Sequence, residues 1–313
     1  MREFCILCLF VFFHSSEGRI QPYELKIPGS EVVIPMVAIQ EGTFELGSDD
    51  KRSELDEKPI QTVFVDGFWM SSVEITHDAF LIFRNPELDL DKEGNPRVDG
   101  ISRPSQPYED PVFGMGTTSY PAAGMTQLGA LQFCRWLSDK TGDFYLLPTE
   151  AEWEYACRAG SASPYFFGKK KKDLKEYAWY EKNSGSRFHP VGQLEPNPWG
   201  LYDIHGNVAE WTLDQYQADY YLELKSNTEN PWRQPTDLHP RSVRGGNYLS
   251  PAEDLRCSNR TESTLDWKRR DPQIPRSFWW NTDSPFVGFR IVRPAREITK
   301  ADQEAFWNLV LGG

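Results

Sequence analysis

Glycine and proline recur along the whole chain, 23 of each in 313 residues, and they are spread rather than clustered. That spacing leaves little room for long helices or long strands, because each such residue tends to turn or end an element. The expected fold therefore consists of many short elements joined by ordered turns. Aromatics at 14%, including 11 tryptophans, supply enough large apolar side chains for a dense core. No internal repeat and no compositional break divides the chain, so one domain is expected.

Met1-Arg2-Glu3 precedes an apolar run, Phe4 to Phe13, followed by His14-Ser15-Ser16-Glu17-Gly18. A run of about ten residues is too short for a bilayer and suits a secretory signal. Residues 1–18 are read as a signal peptide, which places the remainder in the periplasm or outside the cell and removes Cys5 and Cys8. No later stretch is long and apolar enough to be transmembrane. The net charge of −12 repels phosphate backbones, so nucleic acid is not an expected partner.

Residues 19–37 read as a linker ending in a strand, Glu31 to Val37. Gly42 to Ser48 and Gln61 to Phe68 alternate apolar and polar residues, as half-buried strands do. Thr76 is placed to cap a helix carrying Phe80, Ile82 and Phe83. Residues 85–116 lack periodicity and read as a surface loop. A second helix runs from Thr126 to about Lys140 with Ala130, Phe133, Cys134 and Leu137 on one face, and Gly142 stops it. Phe144 to Pro148 reads as a short strand. Thr149 and Glu152 form a capping box for a third helix that ends near Arg158. Lys169 to Lys172 reads as a solvated charge run. The tail, residues 297–313, reads as a terminal helix presenting Phe306, Leu309 and Val310.

Several strings occur in a fixed order: Gly42-x-Phe44-x-x-Gly47-Ser48, Val73-Glu74-Ile75-Thr76, Leu147-Pro148-Thr149-Glu150-Ala151-Glu152-Trp153-Glu154-Tyr155-Ala156-Cys157-Arg158, Asn197-x-Trp199-Gly200-Leu201-Tyr202-Asp203, Gly206-Asn207-x-x-Glu210-Trp211, Arg244-Gly245-Gly246, Arg256-Cys257-x-x-Arg260 and Gly288-Phe289-Arg290. Together they resemble the formylglycine-generating enzyme (sulfatase-modifying factor) family. The resemblance implies an α+β, C-type-lectin-like fold with little regular secondary structure, covering residues 38–296.

The resemblance also implies a calcium ion held by the Asp203 side chain, the Gly206 and Val208 carbonyls and the Glu210 side chain. Asp203 and Glu210 in a turn-rich stretch are independently suited to Ca²⁺, which takes six to eight oxygens at flexible angles. The opposing reading is that both carboxylates pair with arginines. A structural role for the ion is expected. A second calcium site of the family is not matched at Ala178-Trp179-Tyr180.

In the family, two cysteines just after the double glycine bind Cu(I), a soft ion that selects thiolates, and oxidise a substrate cysteine. Here the stretch runs Gly245-Gly246-Asn247-Tyr248-Leu249-Ser250. Ser250 takes the first thiol position and no cysteine fills the second. Asn247 replaces a family serine and Ala209 a family tryptophan. Copper chemistry is therefore not expected. The resemblance pairs Cys157 with Cys257 as a disulfide and leaves Cys134 a buried free thiol. Arg244, Arg256, Arg260 and Arg290 are read mainly as salt bridges and backbone ties. A divergent site using His205, or Glu253 with Asp254, stays open beside the reading of His205 as a hydrogen-bonded loop residue.

Three functions are compatible with these features. The favoured one is binding a protein or peptide, or another envelope component, on the lectin-like scaffold. The second is an enzyme of altered chemistry, as in relatives that mature pyoverdine siderophores without the thiol pair. The third is formylglycine generation itself.

Overall fold

Eleven short strands form three small sheets around one main hydrophobic core, with two smaller clusters beside it, in a computed structural model describing residues 19–91, 93–94 and 102–311. The signal peptide read in residues 1–18, with Cys5 and Cys8, lies outside the described residues, as does part of the insertion at 85–116. The first sheet holds β1 (Tyr23–Lys26), β2 (Val33–Ile39), β5 (Phe68–Ser71) and β11 (Val292–Pro294), in the order β1-β2-β5-β11 and antiparallel throughout. The segment read as a linker is thus half of a strand pair, with Tyr23 opposite Met36 and Lys26 opposite Val33. Its few apolar residues hid β1, whereas Ile34, Met36 and Ile39 of β2 are buried in alternation with exposed neighbours.

The second sheet runs β3 (Gly42–Leu46), β4 (Gln61–Val65) and β7 (Thr228–Glu229), the last pairing in parallel. The third has the order β10-β6-β8-β9, built from β6 (Ala209–Gln215), β8 (Arg241–Arg244), β9 (Thr261–Glu262) and β10 (Val287–Gly288). Strand β6 is buried along its whole length, the mark of a central strand covered on both faces. Phe144 to Pro148 does not form a strand; only Leu146 bridges to Val292.

Five helices complete the fold: α1 (His77–Arg84), α2 (Gln127–Thr141), α3 (Glu150–Arg158), α4 (Tyr220–Glu223) and α5 (Lys300–Leu311). Their ends follow the sequence. Thr76, Thr126 and Thr149 each accept a hydrogen bond from the first turn, and Glu152 closes a capping box on Thr149. Gly142 ends α2 at φ 87°. Helix α2 buries Ala130, Phe133, Cys134 and Leu137, and Phe133 meets Phe83, Trp136 and Phe289 at ring distances of 5.4–5.8 Å. The tail helix turns differently from expectation. It buries Trp307 and Val310, while Leu309 is exposed.

The insertion after α1 is anchored rather than free. Asp89 is fully buried and takes hydrogen bonds from the Trp136 indole (2.9 Å) and Arg103 (2.6 Å), and it pairs with Lys140.

Buried arginine–carboxylate pairs tie the irregular segments together. Glu154 of α3 accepts from Arg158 (2.6 Å), from Arg244 of β8 (2.5 Å) and from the Gly47 amide (3.0 Å). Arg256 forks onto Glu57 with two bonds of 2.6 Å, and Arg260 meets Glu150 at 2.8 Å. Removing one partner of such a pair leaves an uncompensated buried charge. Glu154→Gln is therefore expected to cost about 3–5 kcal/mol in unfolding free energy, measured by denaturant titration.

Candidate functional site

Two loops pack against each other at the ends of β6 and β8. The first, Asp203 to Val208, enters β6. The second, Gly245 to Ser250, leaves β8. Three backbone bonds fix them: Gly206 N–H to Gly245 O (3.0 Å), Tyr248 N–H to Asn207 O (2.9 Å) and Asn207 N–H to Trp179 O (2.8 Å). Gly206 has φ 80°, and a Cβ there would lie 2.2 Å from the Trp179 carbonyl oxygen, so no other residue fits.

Glu74 underlies the first loop. It is fully buried just before α1. Oε1 accepts the Val208 amide (3.1 Å) and Oε2 the Asn207 side chain (3.1 Å). The Asn207 Oδ1 in turn accepts the His189 amide at 2.9 Å. Sequence reading placed Glu74 inside a motif but gave it no task; its position beside Thr76, in a string shared with the family, was the available signal.

The expected calcium ligands lie in this cluster. Asp203 Oδ2 accepts the Gly192 amide at 2.7 Å, while Oδ1 is buried with no hydrogen-bond partner. Glu210 is held on both oxygens by Arg290 (2.6 Å each), with the Trp153 indole also on Oε2 (2.7 Å). Three buried carboxyl groups, Glu74, Asp203 and Glu210, thus surround one guanidinium. Burial, with the neighbouring Asp203 and Glu210 charges, pushes Glu74 well above the carboxylate range. Burial pushes Asp203 up to about 6. The donor set fits a hard cation at the Asp203 end, where a buried carboxyl oxygen has no hydrogen-bond partner; at the Glu210 end Arg290 already supplies the countercharge.

The second loop closes on itself. The Asn247 amide donates to Ser250 Oγ (3.1 Å), the Ser250 amide to Asn247 O (2.9 Å) and the Leu249 amide to Asn247 Oδ1 (2.8 Å). Both side chains therefore serve a turn. Tyr248 between them is buried against Phe188, at 5.8 Å between rings.

The remaining thiols lie elsewhere. Cys157 at the end of α3 is bonded to Cys257 across 100 residues. Cys134 is a free thiol in the core of α2, and burial raises its pKa well above the ordinary value. His205 is fully buried, stacked on Phe166 at 5.3 Å, with Nδ1 3.8 Å from Cys157 Sγ; burial depresses it to about 3, so it is a neutral packing residue. Glu253 is exposed and pairs with Lys171, while its neighbour Asp254 is half-buried, with its pKa raised by that burial.

The sulfatase-modifying factor enzyme 1-like domain matches residues 29–295. The chain belongs to the sulfatase-modifying factor family. It is 30% identical over 305 residues to the formylglycine-generating enzyme of Mus musculus, covering 81% of this chain and 79% of that one. It is also 30% identical over 234 residues to the serine/threonine-protein kinase pkn1 of Chlamydia pneumoniae, but this covers only 35% of the kinase. Among solved structures, PvdO from Pseudomonas aeruginosa matches with a TM-score of 0.62 and 26% identity over 86% of this chain and all of PvdO. Treponema denticola variable protein 1 has the same TM-score at 21% identity, covering 87% of this chain and 99% of that one, a likeness of fold.

Glu74→Ala would leave the Val208 amide without an acceptor and one of the two Asn207 side-chain N–H groups unsatisfied, the other keeping the His189 carbonyl (3.3 Å). At about 1–3 kcal/mol for each unsatisfied buried donor, the variant is expected to lose about 2–6 kcal/mol of stability by denaturant titration.

Proposed function

We propose that this sulfatase-modifying factor family protein is an exported binding protein, acting on a protein or peptide ligand of the cell envelope rather than as a copper oxidase. The observation that carries this reading is the turn after the double glycine. Ser250 spends its side chain on the Asn247 amide and Asn247 its side chain on the Leu249 amide, and the turn itself holds no cysteine for a soft monovalent ion. A serine hydroxyl is hard and protonated, a poor ligand for Cu(I). Cys134, the remaining free thiol, is locked in the core.

A groove of about 490 Å³ offers a surface for such a ligand. It lies between β3, the end of α3 and Trp199. Phe44, Tyr155 and Trp199 form a half-buried aromatic shelf, with rings 5.2 and 4.9 Å apart, and Asp49, Asp50 and Lys169 line its rim. Aromatic surfaces beside charged groups suit peptide recognition, since they bury large area at low conformational cost.

The likeness to PvdO favours a second reading, an enzyme of altered chemistry on the same fold. The formylglycine-generating relatives favour a third, oxidation of a sulfatase cysteine. A sulfatase-type peptide containing Cys-x-Pro-x-Arg, incubated with the protein, Cu(I) and oxygen, separates the third from the first two. No formylglycine is expected; its signature, a mass loss of about 18 Da by replacement of thiol with aldehyde, would overturn the binding reading. Peptides selected on the immobilised protein should then lose at least tenfold in affinity on Trp199→Ala, whereas turnover found by untargeted metabolite profiling would favour the enzyme.

We assign calcium a structural role in the same proposal. The Asp203 side chain with the Gly206 and Val208 carbonyls would hold it, and Glu210 would share its charge between the ion and Arg290. Binding to the folded state alone stabilises by about 2.7 kcal/mol at a hundredfold excess over Kd. Chelator is expected to lower the melting temperature and Asp203→Ala to abolish that response; an unmoved melting temperature would remove calcium from the proposal.

A further inference from the structure

Arg244, Arg256, Arg260 and Arg290 each meet a carboxylate at 2.5–2.8 Å. Arg241, three residues before Arg244, does not. Its Nε and Nη1 are buried without any hydrogen-bond partner, and no carboxylate among the described residues forms an ion pair with it. Asp214, an acid whose charge it feels, already accepts the Glu150 and Arg233 amides and is pushed up to about 8 by burial, so it is a weak countercharge. Asp237, at the exposed rim, is screened by water.

Arg241 lines a cavity of about 270 Å³ between the start of α2, β6 and the end of α5. A second cation shares it. Lys268 is 6% exposed, and its ammonium donates to the Ser277 carbonyl at 2.6 Å with no carboxylate partner among the described residues. Burial lowers it to about 8, which leaves it largely charged at neutral pH. The wall also holds Asn281, whose Oδ1 is buried and unpartnered, and the indole of Trp211. His239 bonds to Ser263 Oγ at 2.8 Å and is kept neutral by burial and the two nearby cations. The first turn of α2 adds the positive end of a 15-residue helix.

A half-buried guanidinium and a buried ammonium that form no ion pair among the described residues, although Asp271 lies close enough to favour the Lys268 charge, together with an open acceptor and an apolar wall, describe a site suited to an anion. We infer that this cavity binds a small organic carboxylate carrying a neighbouring hydroxyl or amine. The carboxylate lies in the fork of Arg241 with Lys268 as a second donor, and the hydroxyl or amine donates to Asn281 Oδ1. A planar guanidinium matches a carboxylate through two parallel bonds, which a tetrahedral anion uses less well. The volume limits the ligand to a molecule smaller than typical drug-sized occupants, roughly 300–1,000 Å³. This site is separate from the groove at Trp199 and does not depend on the proposed function.

The test uses the full chain, its melting temperature followed against increasing glycolate, inorganic phosphate and neutral glycolamide. Glycolate is expected to raise the melting temperature saturably, phosphate less so, and glycolamide not at all. Arg241→Gln and Lys268→Met should each weaken the glycolate response at least tenfold. Without ligand, Arg241→Gln should melt no lower than the unaltered protein, because it removes a buried charge that has no partner; a fall would mean that Arg241 holds the fold. Glycolate without effect, an unchanged response in both variants, or phosphate bound more tightly than glycolate would each overturn the assignment.

Discussion

The carboxylate of Glu154 sits where three otherwise unrelated segments meet. It belongs to α3, and it holds Arg244 of the third sheet and the amide of Gly47 just after β3. A fold of short strands has few long hydrogen-bonded ladders to set one layer against another. Charge-assisted bonds in a dry interior take over that task, since they are short and directional. Burying such a group is costly in isolation, so the arrangement depends on both Glu154 oxygens being engaged by donors. The pairs of Arg256 with Glu57 and Arg260 with Glu150 repeat the same solution elsewhere.

Much of this architecture was legible in the sequence. Threonine caps, the Thr149–Glu152 box and the glycine after α2 are local devices, fixed by neighbouring residues, and all are seen where the spacing places them. The strand at Tyr23–Lys26 was not legible, because its reason for existing is β2, which it edges, and not its own pattern. The stretch Phe144 to Pro148 misled in the opposite direction. Its apolar run packs into the core and meets β11 only at the single bridge from Leu146 to Val292. The tail helix was recognised, but the face it buries depends on Phe144 and α2, which periodicity over a dozen residues could not reveal.

The site divides the same way. Asp203, Gly206, Val208 and Glu210 lie close in sequence, so one motif exposes them. Their electrostatic surroundings come from Glu74 and Arg290, more than 70 residues away on either side, and these decide which oxygens are engaged. The cavity at Arg241 is less legible still. Its cations, its acceptor and its apolar wall come from six separate segments, and each residue alone looks ordinary. What distinguishes the site is that Arg241 and the Asn281 Oδ1 are left without hydrogen-bond partners there, a property that only three-dimensional packing defines.

The turn from Asn247 to Ser250 draws its side-chain bonds from its own backbone. Nothing in the ion-pair framework leans on those two side chains. A segment so self-sufficient is free to drift in sequence while the body beneath it stays put, much as a tool bit can be exchanged without recasting the handle. That independence gives a physical reason why one scaffold can accommodate divergent occupations among its descendants.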